Sequence, residues 1–179
     1  MDRRVLNIDD GSVWRLSKML CAKFWEGWKT KGDPKFTPSE VHGVFEAEQL
    51  QGTTPGLVAI IKVRVEVPLN HWDLDPPEVR AEYACGGAFN PATEQELTSL
   101  ENLDEAECTV TPKLIIIQQN YQDESILRSK RGSSYWMPGG YIVWIVMEKL
   151  PAIPLTLATY WGLPAQERKA LRASFKEGY

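Results

Sequence analysis

Gly140-Tyr-Ile-Val-Trp-Ile-Val-Met-Glu-Lys-Leu-Pro-Ala-Ile-Pro-Leu155 is the stretch that decides the fold. Its apolar run from Tyr141 to Met147 lies between Pro138-Gly139-Gly140 and Pro151, which predicts a strand buried on both faces. Working outward, Lys113-Leu-Ile-Ile-Ile-Gln-Gln119 predicts a second strand. Val44 to Leu50 and Leu57 to Val67 predict a hairpin about Gly52-Thr-Thr-Pro-Gly56. In the latter segment Ile61, Val63, Val65 and Val67 alternate with Lys62, Arg64 and Glu66, the period-two pattern of a strand with one wet face.

Helical spacing accounts for other segments. Residues 12–29 place Val13, Leu16, Leu20, Phe24 and Trp28 as a helix would, with Asp9 or Asp10 as cap and Gly32 and Pro34 beyond the end. Ala92 to about Leu103 carries Leu97, Leu100 and Leu103. Pro164 to Lys176 opens on proline and carries Leu171 and Phe175 four apart. Lys31 to Ser39 reads as a loop, residues 67–90 and 120–138 read as polar insertions, and Ile153 to Trp161 is weakly patterned. The order helix, hairpin, helix, strand, strand, helix predicts an α+β fold with an antiparallel sheet.

Composition bounds the function. The 179 residues are 43% apolar and 25% charged, ordinary for a globular domain. A net charge of −4 gives no electrostatic reason to expect nucleic acid, and the cluster Arg128-Ser-Lys130-Arg131 reads as a solvated loop. No apolar run reaches the roughly 20 residues that span a bilayer, and the first ten residues carry charge without a following small-residue cleavage pattern, so no signal peptide is expected. Cys21, Cys85 and Cys108 are scattered and odd in number, which points to a reducing, cytoplasmic setting rather than a disulfide framework. His42 and His71 sit in no ligand pattern, so no metal is expected. Ser12, Ser17, Ser133 and Ser134 lack a nucleophile motif, and Asp73, Asp75 and Glu78 read as an acidic turn.

Four motifs occur in a meaningful order. Val58-Ala-Ile-Ile-Lys62 resembles the lysine strand of protein kinases, Val-Ala-Ile-Lys. Read alone, Lys62 is the first charge of a wet face continued by Arg64 and Glu66. Glu96-Leu-Thr-Ser-Leu100-Glu-Asn-Leu103 resembles the kinase αC helix, whose glutamate orients that lysine. Two local readings stay open here: Thr93-Glu-Gln-Glu96 forms a capping box, or Asn90 caps with Pro91 first in the helix and Glu96 stands mid-helix. Gly43-Val-Phe-Glu-Ala47 resembles the end of a glycine-rich loop with one residue missing, although Thr37 to His42 contains none of the other glycines. Met147-Glu-Lys-Leu-Pro151 resembles the hinge.

With Pro138-Gly-Gly-Tyr-Ile142, Tyr160-Trp-Gly-Leu163, Glu167-Arg168 and Phe175-Lys176, these motifs resemble the N-terminal lobe of fungal protein-kinase-like proteins, similar in style to aminoglycoside phosphotransferases, over roughly residues 43–179. The resemblance implies a lobe at 37–151, an N-terminal helical extension at 1–36, and a linker with a first C-lobe-like helix at 152–179. It implies Met147 as gatekeeper, the Glu148 carbonyl and Leu150 amide at a base edge, and a Lys62–Glu96 ion pair near the phosphates. Neither His-Arg-Asp nor Asp-Phe-Gly occurs, so no catalytic or metal-binding residue is assigned. The expectation is a shortened, pseudokinase-like lobe that does not act as an enzyme alone, binds at most ATP weakly, and works by binding or interaction. Its alternatives are a phosphotransferase completed by a second polypeptide and an unrelated α+β module. Leu155, Leu157, Tyr160, Trp161, Leu163, Leu171 and Phe175 are too apolar for a solvent surface, so 152–179 is expected to self-associate or meet a protein partner.

Overall fold

The computed structural model describes residues 5–29, 36–69, 73–85, 88–123, 136–151 and 155–177. Six strands form one antiparallel sheet: β1 (Val5–Asn7), β2 (Val13–Trp25), β5 (Ser39–Gln51), β6 (Val58–Val67), β8 (Tyr141–Glu148) and β7 (Leu114–Tyr121), in that spatial order. The short β3 (Trp28–Lys29) and β4 (Phe36–Thr37) form a separate ladder. Among the described residues the helices are α1 (Pro77–Glu82), α2 (Pro91–Glu105), α3 (Leu157–Gly162) and α4 (Ala165–Glu177). This is an α+β fold, and α1 lies within the stretch read as a polar insertion. The Arg128–Arg131 cluster, His71 and residues 124–135 lie outside the described residues.

Residues 12–29 are not a helix. Val13–Trp25 form β2 and Trp28–Lys29 form β3; of three register shifts against β5, the two between Leu16 and Lys18 and between Met19 and Cys21 are bulges on β2. Each bulge adds one residue to the strand. Through their β5 partners Gln49, Ala47, Phe45, Gly43 and Val41, the residues Trp14, Leu16, Met19, Ala22 and Phe24 share one face, two or three apart. Spacings of three imitate a helix in sequence, whereas the full backbone ladder with β5 selects the strand.

Alternation gives the sheet two faces. On one, Ile8, Trp14, Ala47, Ala59, Ile61 and Val146 form a buried cluster, with Leu16 and Trp144 packed against it. On the other, Tyr141, Val143, Ile145 and Met147 meet Leu97 of α2, with Ile60, Leu100 and Phe89 around them. Leu97 and Leu100 are three apart and so lie on one side of α2, which seats the helix across β8 and β7. The helix begins where Asn90 accepts a hydrogen bond from Ala92 N–H (3.0 Å) and Pro91 takes the first position. Asn90 is therefore the cap, and the capping box at Thr93 does not form.

The β2–β5 connection is held by Gly27, whose amide donates to Ser39 Oγ (2.9 Å). A Cβ there would stand 2.0 Å from the Thr37 carbonyl, so only glycine fits. Gly43, read from sequence as the end of a loop, instead lies mid-strand in β5 opposite Val63, beneath the Phe45 ring.

Trp14 is fully buried and its indole N–H donates to Ser12 Oγ (2.8 Å). Trp14→Ala is expected to cost about 3–5 kcal/mol in denaturant unfolding. A loss below about 1 kcal/mol, typical of surface changes, would contradict the strand assignment of β2.

Candidate functional site

The charged residues of β6 do not form the wet face that their alternation predicted: they point toward α2, and Arg64 and Glu66 are buried. Lys62 Nζ donates to Glu96 Oε1 at 2.7 Å, and Arg64 pairs with the other carboxylate oxygen, Oε2. One carboxylate is thus held by two cations spaced two residues apart on a strand. Burial by itself would raise the Glu96 carboxyl, but the hydrogen bonds and charges of Lys62 and Arg64 outweigh it and hold the group below the usual carboxylate range. Arg64 is almost completely buried, and its Nε has no hydrogen-bond partner.

The pair borders a cavity of about 550 Å³ between α2 and the β2, β5 and β6 strands. Cys21, Lys23 and Trp25 alternate along β2 on this side, and His42 and Val44 of β5 complete the floor. Three basic side chains, Lys23, Lys62 and Arg64, face it against the single carboxylate Glu96. A site of this sign suits an anionic ligand. Among the described residues, no group of three His, Cys, Asp or Glu side chains is placed to hold a metal.

A buried polar network fixes the far end of α2. Glu40 is fully buried, and Thr93 Oγ1 donates to its Oε2 at 2.8 Å. Tyr141 O–H donates to Glu40 Oε1, and the Asn90 amide donates in turn to the Tyr141 oxygen (3.1 Å). His42 Nε2 lies 2.6 Å from Glu40 Oε2 and its ring stacks on Trp25, with centroids 5.7 Å apart. Burial, with Glu40 beside it, pushes the Tyr141 hydroxyl above its ordinary value, so the phenol stays a donor. Directly across the ladder from Glu40 lies Glu66, fully buried, which accepts from the amides of Cys85 (3.0 Å) and Tyr141 (3.2 Å). Burial raises the Glu66 carboxyl, and the opposed Glu40 raises it further.

The remaining motif residues lie elsewhere. Met147 is buried in the α2-side core. Glu148 and Leu150 are exposed at the end of β8, where the Glu148 amide donates to Lys113 O (2.9 Å). In the ladder Lys62 pairs with Ile145 and Ala59 with Glu148, a separation of about 10 Å along the strand. None of Met147, Glu148 or Leu150 lines the cavity beside Lys62. Between the two places runs the ion pair Lys149–Glu46 (2.6 Å), over the row Glu46, Ile60, Met147. The extra isoleucine in Val58-Ala-Ile-Ile-Lys62 also matters. Ala59 and Lys62 stand three apart on opposite faces, so Ala59 joins the core and Ile60 shares the face of Lys62. Arg64, Lys23, Trp25 and the Glu40 network escaped the sequence reading; only the alternation of Lys62 with Arg64 marked one of them.

Because the Glu96 carboxyl is lowered in the folded chain, its contribution is present above the ordinary value of 4.5 and is lost as pH falls through the folded value. Glu96→Gln is expected to cost about 1.5–3 kcal/mol at neutral pH. It is also expected to reduce the loss of stability on acidification, measured by denaturant unfolding across that range. An unchanged acid limb would show that Glu96 carries no such linkage.

Comparison with protein-family models, with curated proteins and with solved structures found no match, so the residues and their geometry are the ground for any functional reading.

Proposed function

We propose that this chain is a protein-kinase-like N-terminal lobe that works by binding, with no phosphotransferase activity of its own. The observation that carries the reading is the 2.7 Å ion pair between Lys62, on an inner strand of the sheet, and Glu96, on the helix seated across it. A lysine fixed in this way neutralises nucleotide phosphates in kinases, where the paired glutamate orients it. The basic cavity beside the pair supports a phosphate-bearing ligand, with Lys62 and Glu96 at the phosphates and Met147, Glu148 and Leu150 toward the base.

Phosphoryl transfer depends on carboxylates that hold magnesium and accept the acceptor's proton. The 179 residues contain no His-Arg-Asp or Asp-Phe-Gly motif that would supply them. Base binding would also take place beside the Lys149–Glu46 pair, whose Glu46 is the ladder partner of Ile60; an exposed pair of this kind holds with no more than about 1 kcal/mol.

Calorimetric titration with ATP is expected to give a dissociation constant between high micromolar and millimolar, a binding free energy of about 4–6 kcal/mol. Tripolyphosphate should compete, and Lys62→Met should weaken both ligands. Radiolabel transfer from ATP to the protein or generic acceptors should not exceed that of the Lys62→Met variant. Turnover by homogeneous protein that disappears in Lys62→Met would overturn the non-catalytic reading. Binding of ATP and tripolyphosphate that ignores Lys62→Met would overturn the kinase-like site.

A further inference from the structure

The cavity beside Lys62 continues along the sheet toward the end of β2. On β6 the positions facing α2 run Ile60, Lys62, Arg64 and Glu66, and the ladder sets Lys23 level with Arg64 and Trp25 level with Glu66. Met147 is level with Ile60 at the opposite end. Six residues of strand separate the two ends, a track of about 20 Å.

Two side chains at the β2 end of this track are uncommitted. Lys62 and Arg64 share the Glu96 carboxylate, whereas Lys23 makes no ion pair among the described residues. Trp25 lines the cavity two residues further on and is 49% exposed. Shielding His42 occupies one face of its indole, and no second ring among the described residues stacks on it. A half-exposed tryptophan next to an uncompensated lysine, beyond the cations that meet a phosphate, offers a platform for a planar ring carried on a phosphate chain.

We infer that Lys23 and Trp25 form a second subsite, which takes the far end of a polyphosphate capped by a planar base, so that the ligand class is a dinucleoside polyphosphate. The arrangement rests on the proposed nucleotide reading. It keeps the first base toward Met147, lays the phosphate chain over Lys62, Arg64 and Lys23, and stacks the second base on the open face of Trp25. A mononucleotide ends at its last phosphate and leaves Trp25 bare.

Calorimetric titration of the full chain with tripolyphosphate, ATP and diadenosine tetraphosphate tests this. The dinucleotide is expected to bind about ten- to a hundredfold tighter than ATP, the range that one base–aromatic stack supplies. Trp25→Ala should bring that ratio toward one by weakening the dinucleotide, and Trp25→Phe should keep most of it. Lys23→Gln should weaken the dinucleotide as well, and circular dichroism should show that each variant is folded. A dinucleotide that binds no tighter than ATP, an advantage that survives both Trp25→Ala and Lys23→Gln, or a Trp25→Ala loss that falls equally on ATP, which would put the single base on Trp25, would each overturn the second subsite. Lys62→Met separates the two readings. If it leaves tripolyphosphate binding unchanged, the kinase-like site and the second subsite both fall. If it weakens tripolyphosphate while Trp25→Ala changes nothing, only the second subsite falls.

Discussion

The buried carboxylate of Glu40 is the constraint on which the arrangement of this molecule depends. It lies fully enclosed on β5 and accepts from Thr93 in the first turn of α2 and from Tyr141 at the start of β8, with His42 against its second oxygen. A charge in that position is tolerable only when its oxygens are satisfied, so each partner must be in place together. Asn90, which caps α2, is tied to the same network through the Tyr141 oxygen and donates to the Pro38 carbonyl (3.0 Å). The start of the helix is thereby fixed to two strands before its apolar face makes any contribution.

From that anchor the remainder follows by geometry. With its N-terminus fixed, α2 lays Leu97 on Tyr141, Val143, Ile145 and Met147. Glu96, on the adjoining flank, is delivered to Lys62 and Arg64. Two cations on one carboxylate make the junction tolerant of losing one of them, and they leave the cavity beside it basic. The opposite flank of the same helix, with Glu94 and Glu101 over an apolar floor, is acidic. One seated helix therefore gives the domain two grooves of opposite sign.

β2 makes the second contribution to the site. Its two bulges together add two residues, so Arg15, Cys21, Lys23 and Trp25 keep one face, and Lys18, between the bulges, joins it. Lys23 and Trp25 thereby give the cavity wall a lysine and an aromatic ring. The Trp25 ring then covers His42, so the same strand also shields the edge of the Glu40 network.

Local sequence determined the elements whose periodicity was unbroken: the β5–β6 hairpin, the apolar strand β8, β7, and the helices α2 and α4. The Lys62–Glu96 pair was expected only from the resemblance of their motifs to the kinase lysine strand and αC helix, since alternation alone put Lys62 on a solvated face. Tertiary structure alone decided the identity of β2, since bulges at spacings of three give a pattern that only pairing with β5 can resolve. It decided that Ala59 and Lys62 part to opposite faces, that Gly27 rather than Gly43 serves the β2–β5 reversal, and that Arg64 joins Lys62 on Glu96. It also brought Glu40 to Tyr141 across 101 positions of sequence. Those are contacts between residues far apart along the chain, and their energy comes from shared burial, which no local pattern encodes.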